Sequence, residues 1–169
     1  MEILLKAKHW QIFIILIIGI FISNFTFENY ITATVIFKII GFVLYFLYPF
    51  IIGHFLYDYV PNTIRLNHNF FLINSFICLT TYLIIMVLSD GKGMTFNGLA
   101  AIPMFYVAFA FLYYLSFPAK TLKSIEIEKE AKLGDYIGDF FLIVFLPIGI
   151  WFLQPRINRI LKTKEKIID

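Results

Sequence analysis

The fold of this chain depends on the path of residues 138–156, which read GDFFLIVFLPIGIWFLQPR. The part from Phe140 to Leu153 carries no charge, and Pro147 and Gly149 interrupt it. A helix of this length extends about 21 Å, which is shorter than the ~30 Å hydrocarbon core of a bilayer. The segment therefore either dips into a membrane and returns, or crosses a bilayer that has thinned around it.

The composition indicates the class of protein. Hydrophobic residues make up 60% of the 169 residues, aromatic residues make up 20%, and the mean hydropathy is +0.84. Soluble domains are about 45–50% apolar, so we expect an all-α integral membrane protein. Cys78 is the only cysteine, which excludes an intramolecular disulfide and cysteine-based metal clusters. Lys6 and Lys8 precede the first apolar run, and no cleavage pattern follows it, so we expect a retained first helix.

Four apolar runs predict a four-helix transmembrane bundle, because each has roughly the ~20 residues that a membrane core requires. The charged stretch after the fourth run predicts a surface helix that begins at Pro118 and stops at Gly134. We treat 1–169 as a single transmembrane domain. The predicted elements are membrane helices at about 10–27, 31–60, 70–88 and 99–117, a surface helix at 118–133, a re-entrant or short membrane helix at 137–153 with its break at Pro147 and Gly149, and a basic tail at 154–169.

The distribution of Lys and Arg predicts the orientation, because cytoplasmic loops are enriched in these residues. If residues 137–153 dip and the N-terminus is inside, twelve of the 14 Lys and Arg lie inside, only Lys92 lies outside, and Lys38 lies within a helix. If the segment crosses, seven lie inside and six outside. We therefore favour a dip in the cytoplasmic membrane, with both termini on the cytoplasmic side, and keep a crossing as the alternative.

Charged residues flank the fifth apolar segment. In a dip, Asp139 and Arg156 reach the same depth and can form an ion pair, whereas in a crossing they lie on opposite faces. Asp135 and Asp139 also suit a helix N-terminus, where the dipole favours negative charge. Two hypotheses follow for these residues. They form either a charged mouth for an ion or polar solute, or a helix terminus beside lipid headgroups.

The second apolar run contains further candidates. Lys38 is a functional hypothesis because it is an intramembrane ionisable residue, although its long stem can also reach outward toward Glu28. His54 and Asp58 are four residues apart and can form an interfacial pair on a helix. Two such residues are not a zinc site, which normally needs three or four protein ligands. A site built from all three histidines is conceivable, but we expect no metal and no cofactor.

Polar residues share one face of the third run, among them Asn74 and Thr81. Polar side chains in membrane helices commonly hold neighbouring helices together, with hydrogen bonds of about 0.6 kcal/mol each. The alternative is that this face lines a pore.

The sequence does not determine the activity, but it limits the classes. A nucleophilic serine in a glycine elbow and a His-Glu-x-x-His stretch are both missing, so we expect no enzyme. The net charge of +3 is typical of orientation signals and lipid contact, not of nucleic-acid binding. The favoured class is an accessory or structural subunit that binds another membrane protein or forms a homo-oligomer within the lipid bilayer. The alternative is an oligomeric channel or transporter for an ion or small polar solute that uses the re-entrant segment.

Overall fold

The computed structural model describes the backbone of residues 7–168 and the side chains up to residue 163. Lys6, which enters the predicted charge count, lies outside the described residues, as do the side chains of Lys164 and Lys166. All regular structure in the described part is helical. The helices are α1 (His9–Asn24), α2 (Ile31–Tyr57), α3 (His68–Leu88), α4 (Ile102–Ile127, after a 3₁₀ turn at Gly98–Ala101), α5 (Leu133–Val144) and α6 (Leu146–Ile168).

Three of these helices are long and apolar enough to cross a membrane: α2, α3, and α4 with the 3₁₀ turn before it. The helix α1 is apolar but has 16 residues, which corresponds to about 24 Å. Predicted and observed bounds of the first three helices agree within a few residues. The helix α3 begins at His68, directly after Asn67, whose side chain caps the first turn by accepting a hydrogen bond from the Phe70 amide at 3.1 Å.

The predicted surface helix at 118–133 is wrong, because Pro118 does not begin a new helix. It lies buried inside α4, which continues without interruption to Ile127. A proline in a helix interior costs about 3 kcal/mol. Phe117 and Leu122 on either side are almost completely buried, and burial of each contributes about 1.5–3 kcal/mol, so packing outweighs the lost hydrogen bond. The helix ends at Glu128, which adopts a left-handed conformation with φ of 53°.

The fifth segment consists of two helices, but its break is not at Pro147 and Gly149. The break is Phe145, with φ of −101° and ψ of 51°. Pro147 is the second residue of α6, where a missing N–H leaves no hydrogen bond unmade. Gly149 lies one turn into α6, and a Cβ there would be 1.8 Å from the Leu142 carbonyl oxygen of α5. Glycine therefore allows the two helix backbones of the α5–α6 hairpin to meet.

The backbone at the break is satisfied by hydrogen bonds from several directions. The Phe145 amide donates to the Phe141 carbonyl at 2.9 Å, and the Phe145 carbonyl accepts from the amides of Ile148 and Gly149. The Val144 carbonyl accepts a bond from the Tyr45 hydroxyl of α2 at 3.0 Å. The break is thus covered by another helix of the same chain.

The predicted basic tail at 154–169 is wrong as a separate element, because α6 continues through it to Ile168. Ile157 and Leu161 continue the buried face of Leu146, Ile150 and Leu153, so the apolar spacing of three and four residues extends the helix past Pro155. The side chains of Gln154 and Asn158 both donate to the Ala7 carbonyl. The start of α1 and the second half of α6 therefore lie at the same end of the bundle.

The core is built from buried side chains of all six helices. The helix α2 packs on α1, α3 and α4, while α6 packs on α5 and α1. Gly19 and Gly41 bring α1 and α2 into backbone contact, since a Cβ on Gly41 would be 2.4 Å from the Gly19 carbonyl oxygen. The largest fully buried side chains are Ile12, Leu16, Ile52, Leu56, Phe71, Tyr114, Leu122, Ile143, Leu146, Ile150, Leu153 and Ile157.

We predict that Gly149→Ala lowers the free energy of unfolding by about 3 kcal/mol or more, because overpacking against backbone leaves no flexible side chain to move aside. Thermal unfolding in detergent measures the loss. Gly138→Ala is the matched control on the same hairpin, since nothing lies within 4 Å of a Cβ there. It should melt at the wild-type temperature or slightly higher, because alanine favours the helix. Equal melting temperatures of the two variants would contradict the close packing of α5 on α6.

Candidate functional site

Arg156 is the centre of a charged network at one end of the bundle. Its guanidinium donates to both carboxylate oxygens of Asp139, with Nη1 at 2.5 Å from Oδ1 and Nη2 at 2.9 Å from Oδ2. It also donates to both oxygens of Glu126, with Nε–Oε1 and Nη2–Oε2 distances of 2.6 Å. Two bidentate pairs use four of the five N–H donors of an arginine. Arg156 therefore joins α4, α5 and α6 through one side chain.

The network is mostly shielded from solvent. The side chain of Asp139 is 10% exposed, while those of Arg156 and Glu126 are about one quarter exposed. Hydrogen bonds to Asp139 first, and then to Glu126, hold the pKa of Arg156 above its usual value. A raised pKa stabilises the fold at every pH below the usual pKa of arginine. The guanidinium therefore stays charged at any pH at which the protein is handled.

Asp135 does not join this network. It lies in the first turn of α5, where its Oδ2 accepts a hydrogen bond from the Lys132 backbone amide at 2.9 Å. This is the helix-terminus position that the sequence indicates for Asp135. Asp139, one turn later, instead points to Arg156. The structure thus brings the predicted ion pair together and leaves Asp135 as a cap.

Beside the network lies a cleft of about 480 Å³ between the ends of α2 and α4 and residues 156–163 of α6. Its floor contains Arg156 and Glu126, and Arg159 lies one turn further along α6. The lining residues are Tyr59, Pro61, Ile125, Glu126, Glu128, Arg156, Arg159, Ile160 and Thr163.

Lys38 lies far from this cleft, at the opposite end of α2. Its Nζ donates to the Gly91 carbonyl oxygen at 2.7 Å, in the turn that follows α3. Asp90 and Gly91 in that turn both have positive φ, so the backbone curls back and presents the carbonyl. Lys38 therefore reaches outward, as a long stem can, but its partner is this loop carbonyl and not Glu28.

The histidines occupy two separate places. His54 Nδ1 and His68 Nε2 are 3.0 Å apart, and the two rings stack. Asp58 lies close enough to His68 for their charges to interact, whereas the ring of His9 contacts that of Trp151 at a tilt of 51°. The pairing of His54 with His68 across two helices was not predicted. Within the described residues no group of three or more His, Cys, Asp or Glu could hold a metal.

The polar face of α3 contacts the neighbouring helix α4. The Asn74 amide donates to the Phe70 carbonyl of its own helix at 2.7 Å, and its Oδ1 accepts from the Tyr106 hydroxyl of α4 at 3.3 Å. Thr81 is half-buried further along α3, away from the charged cleft. The structure thus separates Asn74 and Thr81 from Asp139 and Arg156.

Two polar residues that join helices were missed from the sequence. Gln154 is completely buried; its Oε1 accepts a bond from the Tyr48 hydroxyl at 2.7 Å, and its Nε2 donates to Ala7 and Asn158. Glu126, the second partner of Arg156, was also missed as a site residue. The available signal was the i, i+4 spacing of Gln154 with Ile150 and Asn158, which places it on the buried face of α6.

Comparison of the chain with protein-family models, with curated proteins and with solved structures finds no match in any of the three. The function is therefore argued from the geometry alone.

We predict that Arg156→Met lowers the free energy of unfolding by about 3 kcal/mol, because it leaves the buried carboxylate of Asp139 without a partner. The double variant Arg156→Met with Asp139→Leu removes that charge and should regain at least half of the loss. Melting of both single variants and the double variant forms a double-mutant cycle. Lys120→Met is the control, since the exposed pair Lys120–Glu130 should contribute nothing measurable. Strictly additive losses in the cycle would disprove the coupling.

Proposed function

We propose that this protein is a small membrane-embedded accessory subunit that acts by binding another membrane protein through its α5–α6 hairpin. The observation that carries the proposal is that six polar side chains at membrane depth form hydrogen bonds inside the bundle. Each one donates to or accepts from another helix, a loop or its own helix backbone, which is the arrangement of a rigid scaffold. These side chains are Lys38, Tyr45, Tyr48, Asn74, Tyr114 and Gln154.

The α5–α6 hairpin offers a contact surface for such a partner. Phe141, Phe145, Ile148 and Phe152 follow one another at three- and four-residue spacing, and each is more than half exposed. The opposite face of α6 is the buried core. Because lipid tails are as apolar as these side chains, a partner helix is held here by shape and close packing and not by hydrophobicity. An apolar transmembrane helix with small residues fits that requirement.

In the proposed topology the hairpin enters the bilayer and returns without crossing it. The helix α5 has 12 residues, or about 18 Å, against a core of ~30 Å. The contacts of Arg156 with Glu126 and of Gln154 with Ala7 are consistent with a chain that returns to the side it left. We therefore infer a re-entrant hairpin in the cytoplasmic membrane, with both termini on the cytoplasmic side as the Lys and Arg distribution favours.

The second candidate function is an oligomeric channel or transporter. It is favoured by the charged network of Asp139, Arg156 and Glu126 at the base of the hairpin, with the polar cleft beside it. Intramembrane charge near a re-entrant segment is typical of ion and solute pathways.

Site-specific photo-crosslinking tests the hairpin surface. With a photoactivatable phenylalanine at position 145, we expect a discrete protein adduct in intact cells, because the partner helix lies against this side chain. Phe105 on α4 is the matched control, since it is also an exposed apolar ring, and should give mainly lipid adducts. Two differently tagged copies in one cell show whether the adduct is a homo-oligomer. Equal adduct yields at positions 145 and 105 would contradict the proposal.

Reconstitution into liposomes separates the two candidates. For an accessory subunit we expect ion and solute leakage equal to that of protein-free liposomes, because the bundle holds its polar groups in internal bonds. A flux that appears with the purified protein and is lost in Asp139→Asn would favour the transporter. Asp135→Asn is the control for that experiment, since Asp135 caps α5 outside the network.

A further inference from the structure

The charged cleft has the chemistry of a binding site, independently of any partner protein. It lies where α2 and α4 end, against residues 156–163 of α6, so its position along the bundle is that of a membrane–water boundary. Its walls include the apolar side chains of Ile125 and Ile160, with the ring of Tyr59 beside them. A ligand in the cleft therefore meets a polar floor and an apolar wall at once.

Some of the charged side chains at the cleft form ion pairs with one another, and others do not. Arg156 uses four of its five N–H donors on Glu126 and Asp139. Arg159 and Glu128 also line the cleft, and neither has an ion-pair partner among the side chains of residues 7–163. One cation and one anion thus remain for a ligand. Lys123 lies 3.9 Å from Glu126, so three carboxylates in and under the cleft face two guanidiniums and one ammonium group. These charges balance, which favours a ligand that carries both a positive and a negative group.

The backbone at Glu128 supports a role for its side chain. Glu128 has φ of 53° and ψ of 25° and terminates α4 in the left-handed conformation. Glycine is the usual residue at this position of a helix end, because a Cβ makes the conformation unfavourable. Strained conformations of this kind persist where the side chain is needed, and they cluster at functional sites.

We propose that this cleft binds a zwitterionic phosphate ester of the phosphoethanolamine type. Arg159 holds the phosphate, for which the guanidinium fork is well suited, and Glu128 holds the ammonium group. The apolar wall of Ile125 and Ile160 receives the glycerol and the first carbons of an acyl chain when the ester is a phospholipid. Phosphatidylethanolamine and soluble glycerophosphoethanolamine present the same headgroup chemistry.

Melting of the full chain in detergent micelles tests this proposal. Phosphatidylethanolamine should raise the melting temperature by about 5 °C near saturation, and phosphatidylglycerol with the same acyl chains should raise it much less. Arg159→Gln and Glu128→Gln should each lose most of the rise. Lys162→Gln is the matched control, because it is exposed on the same helix but does not line the cleft. An equal or larger rise with phosphatidylglycerol, or a full rise in both cleft variants, would overturn the proposal.

Glu128→Gly gives a second readout that separates binding from folding. Relief of the left-handed strain should raise the melting temperature without lipid by about 2–4 °C, while the rise with phosphatidylethanolamine disappears. A Glu128→Gly chain that melts no higher, or that keeps the full lipid-dependent rise, contradicts the role given to Glu128. Glycerophosphoethanolamine distinguishes the sources: a rise with this compound means that the headgroup alone is bound, and a rise with the phospholipid alone means that a lipid is the ligand.

Discussion

A backbone carbonyl or amide without a hydrogen-bond partner is costly in an apolar environment, and the α5–α6 hairpin is organised by that constraint. The chain reverses at a single residue, Phe145, and its amide and carbonyl both keep helical partners. Pro147 has no donor to satisfy, and the Val144 carbonyl is bonded by Tyr45 of α2. The absence of a side chain at Gly149 lets the two backbones approach. A sharp turn inside the bundle is therefore compatible with apolar surroundings.

The reversal at Phe145 determines where the charges meet. Asp139 precedes the turn and Arg156 follows it, so folding back α6 on α5 brings the two side chains to the same level. Because α4 ends at that level as well, Glu126 completes the set. A guanidinium can bond two carboxylates at once, whereas an ammonium group lacks the planar fork. The hairpin, the end of α4 and the charged network are thus one structural unit.

The remaining polar groups hold the bundle together at other levels. Lys38 of α2 bonds the turn that follows α3, and Asn74 of α3 bonds Tyr106 of α4. Gln154 bonds Tyr48 and Ala7, which precedes α1. Such bonds are modest individually, but each specifies one register of two neighbouring segments. Close backbone contact at Gly19 and Gly41 adds a further constraint between α1 and α2. A bundle specified in this way suits a scaffold whose outer surface binds partners or lipid.

Composition and the spacing of apolar runs were sufficient to predict the membrane class, the all-helical fold and the positions of the first three helices. The same patterns indicated that Asp139 and Arg156 pair if the fifth segment folds back. Predictions from local sequence alone were wrong at two prolines. Pro118 was predicted to begin a helix, and Pro155 was predicted to lie in a separate tail. Helix propensity describes the preference of proline alone and leaves out the packing of the residues around it. Buried neighbours such as Phe117, Leu122 and Ile157 outweigh that local preference.

Only the tertiary structure decided the position of the helix break and the partners of the polar residues. The break lies at Phe145 because Gly149 must face the backbone of Leu142, and that contact exists only after the hairpin has closed. Contacts between different helices and loops pair Arg156 with Glu126, His54 with His68, and Lys38 with Gly91. The sequence by itself determined which segments are apolar and helical, since hydrophobicity and helical periodicity are local properties. Which faces meet depends on packing between distant segments, and only the folded bundle specifies that packing.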